Sequence, residues 1–587
     1  MAAFGAVLLG QLLRWTLWPR PAEAKSPLIW SPFQEARSAP RERGNILDRN
    51  GALLVTTGYR WKVAITPSHL SQKSAEKLAP RLAPLLGMSE GDFLRLIGPA
   101  LPAPADANQP AGATPSAGWP YLALGQVDSA ARAEIERRKQ KAYDVQDKDP
   151  QSNPDFGLPW REVTLSPVAM RVYPEGGLAA HVLGFLNNEP KAFFGIEKYW
   201  DAELRGENPF DVTHEGIALT NLSEPFQRNA SPDGAHDLVL TIDRAMQFIV
   251  EQELRATVER YSADGGTIIV IDPKTGALLA SASYPTYNPA SYSASPSEVW
   301  NDPAISAPYE PGSIFKIITM AAGLNAGVIT PDSTYNDTGC RMFGGRKICN
   351  LDDRSYGISS MRDVLLHSLN LGTVHINELL DKEFYVYVER FGFGAATGID
   401  LANEADGNVR RPGSPDWSEA DLGSNSFGQG IAVTPLQMVS AVSAVANKGL
   451  LMKPHAVAGI IANGRMLKVE PYQVRRVIRQ ETAATLTEML VEAVDRGAEL
   501  AQVPGYSVAG KSGTAQIAVN GKYDENATIA GFIGYLPAHD PAFVILVKIV
   551  RPRGEAMGNR VAAPAFKRVA EQFVTLAGIP PDRKPSK

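Results

Sequence analysis

Two apolar runs, Thr267-Ile-Ile-Val-Ile-Asp and Ala277-Leu-Leu-Ala-Ser-Ala, flank the turn Pro273-Lys-Thr-Gly276, and this segment constrains the fold most. Each run has the length and composition of a strand, and Pro with Gly between them is turn chemistry, which predicts a hairpin. Three more strand candidates follow near the C-terminus, at 513–519, 529–535 and 543–550, and helical spacing at 564–576 closes the domain. The stretch between reads as mostly helical. Two strands, a helical middle, three strands and a final helix predict a mostly antiparallel sheet flanked by helices. That is an α+β domain, not a doubly wound one.

A chain of 587 residues with 44% hydrophobic content is too long for one typical domain. A boundary is expected near Ser231-Pro-Asp-Gly234, so 231–587 reads as the catalytic part, opening with a strand at 238–243 and a helix through Leu254. Residues 21–230 read as a mixed α/β region. It holds a strand and turn around Asn50-Gly51, helices across 68–97, and loops at 98–120 and 146–160. No repeat period is visible. The apolar stretch Ala2–Leu13, continued by Trp15, Leu17 and Trp18, reads as a membrane anchor over 1–20. Arg14, Arg20 and Lys25 follow it and no basic residue precedes it, so the anchor reading assumes a basic tail ahead of Met1. The net charge of −5 lacks the basic excess of a nucleic-acid binder, and none is expected as a partner.

Three short strings carry the chemistry. In Glu310-Pro-Gly-Ser-Ile-Phe-Lys316, Pro-Gly breaks the chain just before Ser313, and Ile317, Ile318, Met320 and Ala321 continue with helical spacing. Ser313 therefore starts a helix and Lys316 lies one turn on, on the same face. Serine needs a base within hydrogen-bond reach, and lysine serves only if burial and nearby positive charge lower its pKa. Ser368-Leu-Asn370 ends another helix: the hydroxyl can relay a proton, and the amide can hold a substrate peptide or Lys316. Lys511-Ser-Gly-Thr514 starts a strand. There Lys511 supplies positive field, the Ser512 and Thr514 hydroxyls can grip a carboxylate, and Gly513 admits a close backbone. The backbone N–H groups of Ser313 and Thr514 are candidates for an oxyanion hole.

The chain has two cysteines, Cys340 and Cys349, with Gly344-Gly345 midway between them as a hairpin turn. A pair arranged to meet predicts a disulfide and an oxidising compartment. Glu197 and Asp243 read as fold residues, and His367 and His375 as structural. No metal-ligand spacing or phosphate-binding loop occurs, and the chemistry needs neither metal nor cofactor.

These strings resemble those of the class B penicillin-binding proteins. So do Arg43-Gly-Asn-Ile-Leu-Asp-Arg-Asn-Gly51, Gly195-Ile-Glu197, Leu240-Thr-Ile-Asp243 and Ser426-Phe-Gly-Gln-Gly-Ile-Ala-Val-Thr-Pro-Leu-Gln437. The resemblance implies a non-catalytic pedestal followed by a transpeptidase domain of the serine β-lactamase-like fold. It implies Ser313 as the acylated nucleophile, Lys316 as its base, and Ser368 and Asn370 in proton transfer and positioning. Lys511, Ser512, Gly513 and Thr514 would bind the substrate carboxylate, with Ser512 in place of the commoner Thr. The implied reaction is D,D-transpeptidation of peptidoglycan stem peptides, with β-lactams as inhibitors. A sensor or a β-lactam hydrolase would share the acylation step. Implied partners are lipid-linked or nascent peptidoglycan and a SEDS-family glycosyltransferase. The implied place is the bacterial cytoplasmic membrane, single-pass with the catalytic domain outside, and Ser368-Leu-Asn-Leu-Gly and Asn403-Glu-Ala-Asp-Gly407 lean toward a division role.

Overall fold

The computed structural model describes residues 43–102, 121–144, 149, 152–187, 189–207, 216–230, 235–519 and 522–583. The expected anchor at 1–20, the boundary at 231–234, most of the 98–120 loop and part of the 146–160 loop lie outside them. Among the described residues, no helix is long and apolar enough to cross a membrane.

The catalytic region is built on a five-stranded antiparallel sheet. Its order is Leu278–Tyr284, Gly265–Ile271, Phe543–Val550, Lys522–Leu536 and Ala509–Val519. Helices Arg244–Arg260 and Gly558–Leu576 cover one face through Val250, Leu254, Phe566 and Phe573. Helices Lys316–Ala326, Pro435–Ala446 and Gln480–Gly497 cover the other through Ile318, Val439, Val442 and Leu486. A sheet buried on both faces needs no polar alternation, which is why all seven residues of Gly265–Ile271 are buried. The edge strand Ala509–Val519 carries the Lys511 string and so borders the cleft.

The expectation of a helical middle needs correction, and one strand of the catalytic region lies apart from its sheet. Strand Asp237–Leu240 does not join the catalytic sheet. It pairs in parallel with Ile46–Leu47 and antiparallel with Val457–Ala462, inside a second sheet that also holds Leu53–Ile65, Leu122–Val127 and Val163–Val172. The middle is also not only helical, since Thr334–Asp337 pairs with Gly357–Ser360 and Leu450–Met452 with Gln473–Arg476. These strands are three or four residues long. Runs that short carry too little periodicity to tell strand from helix.

A buried ion network fastens the N-terminal strands. The Arg43 Nε donates to Glu197 Oε2 at 2.6 Å and the Arg171 Nε to Glu197 Oε1 at 2.8 Å. Arg43 also pairs with Asp201. Glu197 is wholly buried, and removing one partner of such a group costs roughly 3–5 kcal/mol. Asp243 caps helix Arg244–Arg260 by accepting from the Ala245 and Met246 N–H groups. Both acids act on the fold.

Candidate active site

Ser313 lies in a 3-10 turn, Gly312–Phe315, that runs straight into helix Lys316–Ala326. The turn is held from outside. Gly312 donates its N–H to the Gly428 carbonyl at 3.1 Å, and Glu310 Oε1 accepts from the Gly430 N–H at 3.0 Å. The other oxygen, Glu310 Oε2, accepts from the Tyr523 hydroxyl at 2.9 Å. The Glu310–Lys316 string does not by itself give Glu310 a role. Its place, two residues before a positive-φ glycine (Gly312, φ +57°) that precedes the nucleophile, was the available signal. Gly312 and the edge strand meet closely, and a Cβ on Gly312 would lie 2.9 Å from that of Ala515.

Lys316 is completely buried, with its Nζ donating to the Ser368 carbonyl at 2.5 Å and contacting the Ser368 Oγ at 3.3 Å. Burial pushes its pKa well below the ordinary value for lysine, and the charge of Lys511 pushes it further. The first two strings therefore meet at this ammonium, and the third reaches it through charge. Ser368 is in the left-handed region at φ 57°, between helix Met361–Leu366 and helix Asn370–Leu380, which turns its carbonyl toward the lysine.

Two side chains are engaged differently from expectation. The Asn370 Nδ2 donates to the Cys349 carbonyl at 2.8 Å and not to Lys316, because Asn370 opens a helix that packs beside the cysteine hairpin. The Thr514 hydroxyl accepts from the Gly558 N–H at 3.1 Å and directs its own hydrogen to the Met557 sulfur at 4.0 Å. Sulfur is a weak acceptor, so a carboxylate would compete for that hydrogen with advantage. Lys511 is buried on the edge strand, its Nζ donates to the Ser512 carbonyl at 3.0 Å, and burial lowers its pKa to about 8. Ser512 is half-buried and alternates to the opposite side of the strand from Lys511 and Gly513. Gly513 packs on the nucleophile turn, and a Cβ there would lie 2.8 Å from Ile314 Cγ1 and 3.1 Å from Ile314 N.

Cys340 and Cys349 form a disulfide that closes hairpin Cys340–Phe343 and Arg346–Cys349. Asp353 lies close to both sulfurs, but the bond uses them as ligands for each other and the trio is not a metal site. His367 stacks on Tyr356 and His375 on Tyr335.

The assembled site has a serine at a helix start, a buried lysine lowered toward neutrality, a second hydroxyl on that lysine and a buried cation on a strand edge. Such a set can acylate a serine with a substrate that carries a carboxylate. Family comparison agrees: the penicillin binding protein transpeptidase domain matches residues 266–571, and the penicillin-binding protein dimerisation domain matches 38–192. Stage V sporulation protein D of Bacillus subtilis (strain 168) is 31% identical over 558 residues, covering 92% of this chain and 79% of that protein. Peptidoglycan D,D-transpeptidase FtsI of Escherichia coli (strain K12) is 30% identical over 446 residues, covering 74% and 72%. Penicillin binding protein 3 of Mycobacterium tuberculosis, solved with aztreonam, superposes with a TM-score of 0.62 at 28% identity, covering 72% of this chain and 94% of that one. The chain belongs to the penicillin-binding protein transpeptidase family.

Proposed function

We propose that the chain is a peptidoglycan D,D-transpeptidase of the class B type, inhibited by β-lactams. The observation that carries this reading is Lys316, fully buried with its Nζ on Ser368 and one helical turn from Ser313. In a neutral state its lone pair takes the Ser313 proton as Oγ attacks the penultimate D-Ala carbonyl of a stem peptide. Charge then develops on the carbonyl oxygen, which the N–H groups of Ser313 and Thr514 would receive. Collapse breaks the peptide bond, the leaving D-Ala amine takes a proton through Ser368, and the stem remains as an ester on Ser313. An amine from a neighbouring stem attacks that ester and returns the proton, giving a cross-link and a free serine. The positive charge of Lys511, with the Ser512 and Thr514 hydroxyls, holds the terminal carboxylate, while Asn370 positions the Ser368 turn.

The apolar segment at 1–20 supports a single membrane anchor, and the disulfide supports an oxidising, extracytoplasmic setting for the catalytic domain. Lipid-linked or nascent peptidoglycan is the substrate of this reading and a SEDS-family glycosyltransferase its membrane partner. A division role is favoured over elongation by the Ser368-Leu-Asn-Leu-Gly and Asn403–Gly407 strings.

The test uses fluorescent penicillin, a chromogenic cephalosporin and lipid-linked glycan strands. Expected are a long-lived adduct lost in Ser313→Ala, little cephalosporin turnover, and D-Ala released in step with cross-linked product. Rapid cephalosporin hydrolysis would identify a β-lactamase instead. A stable adduct without any cross-link would identify a sensor.

A further inference from the structure

The segment that carries the nucleophile is tied down differently on its two sides. Toward the 428–433 loop it makes four hydrogen bonds. Tyr309 and Val433 exchange both backbone bonds at 2.9 Å, Gly312 donates to the Gly428 carbonyl, and the Gly430 N–H donates to Glu310 Oε1. Toward the edge strand Ala509–Val519 the close approaches are steric, Gly312 against Ala515 and Gly513 against Ile314. The hydrogen bond on this side comes from further along the hairpin, where the Tyr523 hydroxyl donates to Glu310 Oε2 at 2.9 Å.

Tyr523 lies opposite Ala518 at the start of strand Lys522–Leu536. The ladder runs in register from Ala509 to Gln516 and shifts between Gln516 and Ile517, which bends the hairpin there. Ile517 then packs against the core cluster that holds Ile314 and Phe315, so the bend is toward the nucleophile. Tyr523 is 38% exposed, and its hydroxyl is nevertheless committed to Glu310. A hydrogen bond to a carboxylate is about twice as strong as one between neutral groups.

Lys511 stands at one end of the in-register run and the bend at Gln516 at the other. In the transpeptidase reading, on which this inference rests, the terminal carboxylate lies at Lys511 and the scissile carbonyl between Ser313 and Thr514. The stem residues ahead of D-Ala-D-Ala then leave the serine toward Gln516 and the bend. We propose that Tyr523 and Glu310 form a positioning pair for those residues, fixing the spacing of hairpin and nucleophile turn where the acyl side of the donor passes. Tyr523 thereby determines specificity through Glu310 without touching a reacting atom. Binding energy from remote parts of a substrate is used to orient the reacting centre. Loosening the pair should therefore cost most for donors that carry an acyl side chain.

The test compares two penicillins on the full chain. Benzylpenicillin carries a phenylacetyl group where the stem would lie, and 6-aminopenicillanic acid carries none. Acylation rates are measured for the native chain, Tyr523→Phe, Glu310→Ala and the double variant. In Tyr523→Phe the ratio of the benzylpenicillin rate to the 6-aminopenicillanic acid rate should fall by about tenfold or more. Added to Glu310→Ala, Tyr523→Phe should lower the ratio no further. An unchanged ratio, including equal slowing with both penicillins, would make the bond merely structural and overturn the proposal. A Tyr523→Phe effect of the same size with and without Glu310 would overturn it too, because the tyrosine would then act by itself. A native chain that neither penicillin acylates would refute the acyl-serine reading, and the proposal with it.

Discussion

Asn350 holds the start of the helix that begins at Asn370. Its Oδ1 accepts from the Asn370 N–H at 2.9 Å and from the Leu371 N–H at 3.3 Å. Its Nδ2 donates to both oxygens of Asp337, at 2.9 and 3.0 Å, and to the Arg354 carbonyl at 3.1 Å. The first N–H groups of a helix have no partner inside it, and Leu369 at the cap position offers none from its side chain. Asn350 supplies the missing acceptor from the residue after the Cys349 carbonyl that receives Asn370 Nδ2.

Asn350→Ala removes that acceptor and leaves Asp337 short of donors in a buried setting. We expect a loss of about 2–4 kcal/mol in urea denaturation, and penicillin acylation slowed at least tenfold. The second effect is the telling one, because it requires the Ser368–Asn370 turn to shift. A folded variant that acylates at the native rate would show that Asn350 serves stability alone.

The pH dependence of acylation follows from two lysines with opposite requirements. Lys316 must be neutral to accept the Ser313 proton, so the rate rises with pH through its strongly lowered pKa. Lys511 must be charged to hold a carboxylate, so the rate falls as pH passes about 8, where burial places its pKa. Acylation by penicillin should therefore trace a bell in pH. A guanidinium keeps its charge, so Lys511→Arg should lift the alkaline fall while leaving the acid limb in place. An alkaline fall that stays near pH 8 in Lys511→Arg assigns that limb to another group.

The residues legible in the sequence are those whose neighbours are local. Lys316 follows Ser313 by one helical turn, and strands 529–535 and 543–550 are apolar apart from Lys548 because the sheet is covered on both sides. Asn350 and Glu310 were not legible, since each works on partners brought close by tertiary folding: Asn370 for the first, Gly430 and Tyr523 for the second. The same holds for Asp237–Leu240, whose partner Ile46–Leu47 lies in the N-terminal region and is two residues long. Nothing local shows that the Thr514 hydroxyl is also engaged within the fold, since its bond to the Gly558 N–H arises only once the last helix docks on the edge strand.

Gly513→Ala should separate geometry from chemistry. The added methyl meets Ile314 Cγ1 at 2.8 Å, which a rotamer change can relieve, but also Ile314 N at 3.1 Å and the Pro311 carbonyl at 3.3 Å, which are backbone. The edge strand and the nucleophile turn must then part by a few tenths of an ångström. Penicillin acylation should slow by about 10–100-fold, less than the roughly 100–1,000-fold lost when one oxyanion donor is removed outright, because the donor is shifted and not deleted. Thermal unfolding should change little, because strand and turn remain buried. Native acylation in this variant would mean that the close approach has no part in the reaction.

Lys548 is a second buried lysine on the catalytic sheet besides Lys511, its Nζ 4.4 Å from the centroid of the Tyr309 ring. Burial lowers its pKa to about 8 from 10.5. Between those values the unfolded chain binds more protons than the folded one, so stability rises with pH across that window. Below pH 8 the full cost of the buried charge is present, about 3 kcal/mol for a shift of this size. The aromatic face offsets about 0.5–2 kcal/mol of it. Lys548→Met keeps a similar length without the charge and should be more stable than the native chain at pH 7 by about 1–3 kcal/mol. The advantage should shrink toward pH 10, where the native lysine is largely neutral in the fold. Urea denaturation of both proteins at the two pH values measures the gap. A gap of equal size at pH 7 and pH 10 would show that shape, and not the buried charge, sets the difference.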